Sequence, residues 1–173
     1  RLNQSKACNM KPAKIDTSQT ELFRERLSNQ LNPREPLFAL AGQINWSVFE
    51  DSFGKEFTDG PGQPPKPIRL MVGLMMLQHM NGLSDEEVVN QWVENPYWQY
   101  FCGFDYFQWK LPADGSSMTR WRKRIGQEGM EKILSETIVV ALRTETVKPK
   151  DLQTVIADTT VMEKNITFPT DSK

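Results

Sequence analysis

Ile68–Met80, IRLMVGLMMLQHM, is the densest apolar stretch, and its Ile, Leu, Val and Met residues leave almost no polar face. A helix that is apolar on nearly all sides is a buried one, so the pattern predicts the central helix of a helical domain. Its methionines admit a second reading, an adaptable partner surface. Upstream, Leu22, Phe23, Arg26, Leu27 and Leu31 recur at helical spacing behind a candidate cap at Thr17 or Ser18, which predicts a helix ended by Pro33. Trp46, Phe49 and Phe53 predict a short amphipathic helix with Asn45 or Ser47 as its cap. Between these helices and the central one, Thr58–Pro67 holds four prolines and two glycines and reads as a connector.

Downstream, Ser84 followed by Glu87 predicts a capping box, with Leu83 stapling onto Val88 and with Val88, Val89, Trp92 and Val93 as the buried face. Asp85, Glu86 and Glu87 suit the positive end of that helix dipole and need no catalytic explanation. Asn95-Pro96 opens another short helix, dense in Tyr97, Trp98, Tyr100 and Phe101 and stopped near Gly103. Those aromatics suit a helix seam; base stacking is the competing reading. Ser116 or Ser117 is the candidate cap of Met118–Ile125, and Gly126 and Gly129 bracket a junction before Met130–Leu142. In that last helix Met130, Ile133, Leu134, Ile138 and Ala141 form the expected apolar stripe. Val155, Ile156 and Ala157 then break the helical pattern as a short strand carrying Asp158.

Composition changes this picture in a few places. Hydrophobic content of 38% is low, but five Trp, nine Phe and three Tyr supply bulk enough for a packed helical core in a chain of 173 residues. The net charge of −1 conceals segregation: Lys and Arg against Asp and Glu give +4 for residues 1–34, −5 for 81–115 and +4 for 116–150. A local basic surface is what nucleic acid needs, so the neutral sum does not exclude DNA. Cys8 and Cys102 stand far apart without a zinc spacing, which argues against a disulfide framework or a metal finger and suits the cytoplasm. No signal peptide is visible, and the apolar run Leu70–Leu77 is too short to span a bilayer. His79 has no ligand pattern around it and reads as a helix-end residue. Arg1 at the start and Lys173 at the end suggest a piece of a longer reading frame.

Two places carry candidate chemistry. In Met118–Ile125, the apolar Met118, Trp121 and Ile125 share one helical face while Arg120, Arg122, Lys123 and Arg124 take the others. Such a helix can anchor in a core and turn cations toward phosphate, and with the preceding capped helix it resembles a helix-turn-helix variant with a long connection. A solvated charged face is the bland reading. Asp158, beside apolar strand residues, is paired, hydrated or metal-bound if buried, and a water-facing turn residue if not.

The stretches IADTTVMEKNITFPTDSK and WVENPYWQYFCGFDYFQWKLPADGSSMTRWRKRIG resemble, in that order, the first catalytic segment and the N-terminal helical domain of DDE transposases of the InsH-like, or insertion-sequence-five, group. The resemblance runs from about Pro67 to Lys173. Residues 1–16, polar and without periodicity, read as a flexible basic tail, and with the helical pattern from Thr17 the resemblance implies a mainly α chain: a helical DNA-binding and dimerising domain over 17–147, and over 151–173 the first strand or hairpin of an incomplete ribonuclease-H-like α/β domain. In that family three carboxylates hold two divalent ions, usually Mg2+, that serve an in-line displacement at a phosphodiester. Asp158 matches the first of them and Thr159 and Thr160 follow it in the family manner, whereas Asp171 is a weaker carboxylate candidate.

The implied partners are double-stranded DNA, at terminal inverted repeats, and further transposase subunits in a homo-oligomer or with the full-length protein. The implied place is the bacterial cytoplasm, at the nucleoid. The second Asp and the Glu are expected beyond Lys173, so this chain alone is expected neither to cut nor to join DNA. Two other classes stay open: a non-catalytic regulator that binds DNA or transposase subunits, and a helical protein-interaction domain.

Overall fold

Almost every strongly periodic apolar segment becomes a helix, and all the regular structure of the described residues is helical. The computed structural model describes residues 24–54, 65–148 and 150. The predicted tail over 1–16, much of the Thr58–Pro67 connector, and the strand with Asp158 and Asp171 lie outside the described residues. The chain divides into two units, Arg1–Val140 and Ala141–Lys173.

Among the described residues seven helices follow one another: α1 (Leu27–Gln30), α2 (Pro36–Gln43), α3 (Trp46–Phe53), α4 (Ile68–Asn81), α5 (Asp85–Glu94), α6 (Pro96–Phe101) and α7 (Gly115–Arg143), which begins in the first unit and ends in the second. The apolar run behaves as its composition dictates: Ile68 and every residue from Leu70 to Leu77 are buried. Helices α3 and α5 both pack on α4, α6 packs on α5, and α1 and α2 lie on α6. Met71, Met75 and Met76 of α4 belong to this core, whereas Met80 near its end is 59% exposed.

The aromatics of α6 form a helix seam. Trp98 and Phe101 are buried, Tyr100 stacks on Phe38 of α2 at 4.3 Å, and Phe101 meets Trp46 of α3 edge-on at 5.3 Å. Arg69 of α4 closes the C-terminal end of α6, donating from Nε to the Phe101 carbonyl at 3.2 Å while its guanidinium lies 4.6 Å over the Trp46 ring. Burial lowers its pKa, the expected effect of a low-dielectric site on a cation. Gly73 lets α4 and α6 approach: a Cβ there would fall 2.7 Å from Cys102 Sγ.

Four expectations need correction. The helix expected through Leu31 does not include Arg26, which is extended at ψ 142; Leu27 N–H donates instead to the Asp105 carbonyl at 2.7 Å, so a tertiary bond overrides the local stripe. Helix α2 was not anticipated, although Pro36 at its start and Leu37, Leu40 and Ala41 on one side are helical signals. Asn45 precedes α3 but does not cap it, because its side chain accepts from the Ser47 hydroxyl at 2.7 Å. In the second half of α7 the buried face is Gly129, Ile133, Glu136 and Val140, whereas Leu134 of the expected stripe is 60% exposed. Glu136 takes a core position because its Oε1 accepts the Asn45 N–H at 3.3 Å.

The second unit is described only at its start. After Arg143 the chain turns, with Thr146 N–H donating to the Ala141 carbonyl at 3.0 Å and Glu145 at φ 56.

Candidate nucleic-acid interface

The cationic helix is the first arm of α7, and its position follows from both of its ends. At the start the capping residue is Asp114, two residues before Ser116 and three before Ser117, the serines expected for the role. Its Oδ1 accepts the Ser117 N–H at 2.8 Å and also the Ser116 hydroxyl. The serine hydroxyl, and then the backbone N–H, lower the Asp114 pKa to about 2. At the far end Gly126 has φ 61 and ψ −164, a conformation essentially confined to glycine, and it breaks α7 into two arms. The junction expected between Gly126 and Gly129 falls at Gly126 alone, and Gly129 lies buried within the second arm.

Between these ends Met118, Trp121 and Ile125 are buried, as their spacing predicts, and Trp121 meets Phe53 of α3 edge-on at 5.5 Å. The four cations then separate into two groups. Arg120, Lys123 and Arg124, spaced i, i+3 and i+4, are exposed on the side away from that apolar face. Arg120 leans back along its own helix, donating from NH2 to the Ser116 hydroxyl at 2.6 Å and lying 3.4 Å from Asp114. With side chains 70% and 67% exposed, that ion pair is a weak, salt-screened one.

Arg122 is different. Its guanidinium grips Asp85, the first residue of α5, with two parallel bonds, NH1 to Oδ1 at 2.8 Å and NH2 to Oδ2 at 2.5 Å, in the fork geometry that makes arginine–carboxylate pairs strong. Gln78 in the last turn of α4 donates to the same carboxylate at 2.6 Å, and the Thr119 hydroxyl donates to it at 3.0 Å. The Arg122 and Asp85 side chains are 31% and 19% exposed, and Arg122 is the largest cause of the lowered Asp85 pKa.

Sequence reasoning missed this cluster. Asp85 was fully accounted for as a dipole-compensating residue of α5, and it does sit in that acidic first turn beside the Ser84–Glu87 capping box, which is present as predicted. The available signal was position: Arg122 lies four residues after Met118 and next to Trp121, at the edge of the apolar face rather than opposite it.

The segment joining α6 to α7 is fixed from inside. Gln99, wholly buried, donates from Nε2 to the Gln108 carbonyl at 2.9 Å and accepts the Gln108 N–H at 2.7 Å. The preceding capped helices and the cationic arm are thus separated by a long, pinned connection. No group of three or more His, Cys, Asp and Glu residues among the described residues is placed to hold a metal ion, and none of the described helices is long and apolar enough to cross a membrane. His79 is exposed in the last turn of α4, the helix-end place expected of it.

A helical domain that turns one cationic helix face outward is the class defined by this geometry. The chain belongs to the transposase domain family DUF772, which matches residues 25–124, from the segment before α1 through the cationic arm of α7. It is also similar to an uncharacterized protein, ORF8 in the nfe locus of Rhizobium meliloti, with 50% identity over 164 residues that cover 95% of this chain and 79% of the relative. No solved structure matches.

Proposed function

We propose that this chain is the DNA-end-binding and dimerising part of a DDE transposase of the InsH-like group, with the start of its catalytic domain following in 151–173. The observation that carries the reading is the outward face of Arg120, Lys123 and Arg124 on a helix whose other side is anchored in the core, inside the region that matches the transposase family. Cations at such spacing meet successive phosphates of a duplex, which gives affinity and orientation before any base is read. The partners on this reading are double-stranded DNA, at terminal inverted repeats, and further transposase subunits. The place of action is the bacterial nucleoid.

Catalysis on this reading belongs to the longer protein. Asp158 would be the first carboxylate of a triad, whose other two members the reading places beyond Lys173. Oxygen ligands of this kind suit Mg2+, which supplies nucleophile activation and charge neutralisation at a phosphodiester. One carboxylate cannot position two ions, so residues 1–173 by themselves would bind DNA without cutting or joining it.

The test is a titration of the purified chain against labelled duplex taken from the DNA flanking its gene and against a scrambled duplex. The reading expects tighter binding to the flanking repeat. Absence of salt-dependent binding to either duplex would sink it and leave a helical assembly module as the better account.

A further inference from the structure

We propose that Arg122 does not hold DNA but is a positioning residue: through Asp85 it seats the cationic arm of α7 on α4 and α5 so that Arg120, Lys123 and Arg124 are aimed at the duplex. The inference rests on the DNA-binding reading above and concerns how that same site is built.

Three elements meet at one carboxylate. Asp85 Oδ1 accepts from Arg122 NH1 at 2.8 Å and Gln78 Nε2 at 2.6 Å, while Oδ2 accepts from Arg122 NH2 at 2.5 Å and Thr119 Oγ1 at 3.0 Å. Both terminal nitrogens of Arg122 are thereby spent on protein acceptors, and NH1 also reaches Gln78 Oε1 at 3.2 Å. A phosphate could engage this guanidinium only by breaking a bidentate pair whose two side chains are mostly sheltered from water, which leaves the carboxylate short of its partner. Arg120 makes the contrast. Its partners lie on the exposed first turn of its own helix, so exchanging them for a phosphate moves nothing else.

The arm is seated at its first turn as well, because a Cβ on Gly115 would fall 3.0 Å from Glu86 Cγ. Between the Gly115 contact with α5 and the Asp85–Arg122 pair, the helix has little freedom to roll about its axis. Rolling by one residue, about 100°, would put one of Lys123 and Arg124 in the other's place and carry the other off the outward face. The pair therefore fixes the direction of charges that it does not itself contribute.

The two roles for Arg122 predict opposite signs for one substitution. Asp85→Asn removes a negative charge near the arm. If Arg122 held a phosphate, this change would release the guanidinium and tighten binding, and Arg122→Ala would flatten the slope of log K against log salt by about 0.9. If Arg122 positions, Asp85→Asn and Arg122→Ala each weaken binding about tenfold and flatten that slope to the same extent, because either change lets the arm turn its cations away, and the double variant binds no more weakly than either single one.

The measurement is fluorescence anisotropy of the full chain with the flanking-gene duplex across several salt concentrations, each variant's fold being checked by its thermal melt. Should Asp85→Asn unfold the chain, Thr119→Val removes one donor from the same carboxylate and leaves every charge in place; weaker binding is then expected, and unaltered binding overturns the proposal. Tighter binding by Asp85→Asn, or a flattened slope in Arg122→Ala that Asp85→Asn does not share, also overturns it while leaving the DNA reading intact. If the wild-type chain binds no duplex, the DNA reading itself has failed, and the proposal with it.

Discussion

Gln99 has no exposed surface, and its side-chain amide is engaged on both sides: Nε2 donates to the carbonyls of Trp92, Val93 and Gln108, and Oε1 accepts the Gln108 N–H. Gln99→Ala should cost about 2–4 kcal/mol, from the cavity and from carbonyls left without donors, read as a lower urea midpoint at unchanged m-value. A loss well under 1 kcal/mol would mean that the connection before α7 is held by something else. Asp114 makes a second prediction. Its pKa is lowered from 3.8 to about 2, so the folded chain binds protons less readily there than the unfolded one. The stabilisation this gives is complete above pH 4 to 5 and is lost as pH falls through 3.8 toward about 2. Asp85 shifts in the same direction and adds to the same acid limb. Melting temperatures measured between pH 6 and pH 2 should therefore fall less steeply in Asp114→Asn, which keeps a capping oxygen but cannot titrate.

At the scale of elements, what was legible in the sequence was whatever depended on local spacing. The burial of Leu70–Leu77, the capping box at Ser84, the aromatic seam of α6 and the junction at Gly126 all follow from residues within a turn or two of one another. What was not legible depended on distant partners. Arg26 leaves the helical pattern because Leu27 is bonded to Asp105, and Leu134 is displaced from the core face while Glu136 enters it to meet Asn45. For the candidate site the division is the same: spacing identified the cationic helix and its anchoring face, but the separation of Arg122 from its three neighbours required Asp85, on another helix. The kink carries its own prediction. A Cβ at Gly126 would meet nothing within 4 Å, so Gly126→Ala is a test of backbone conformation alone. Its φ and ψ are nearly restricted to glycine, and the substitution should destabilise by about 1–3 kcal/mol in chemical denaturation. A neutral or stabilising outcome would mean that α7 runs straight at little cost.

For the molecule as a whole, a helical domain of the transposase family holds a cationic helix by its apolar face, by a cap at Asp114 and by the Asp85–Arg122 pair, and leaves three cations outward. The central claim is that those three meet DNA phosphates. The direct measurement is the salt dependence of binding to the flanking-gene duplex for the wild-type chain and for the Arg120→Ala, Lys123→Ala, Arg124→Ala triple variant. Three lost phosphate contacts should flatten the slope of log K against log salt by about 2.7, with the thermal melt little changed because all three side chains are exposed. A triple variant that binds with the wild-type slope would contradict the account and place any DNA-binding surface of this chain elsewhere.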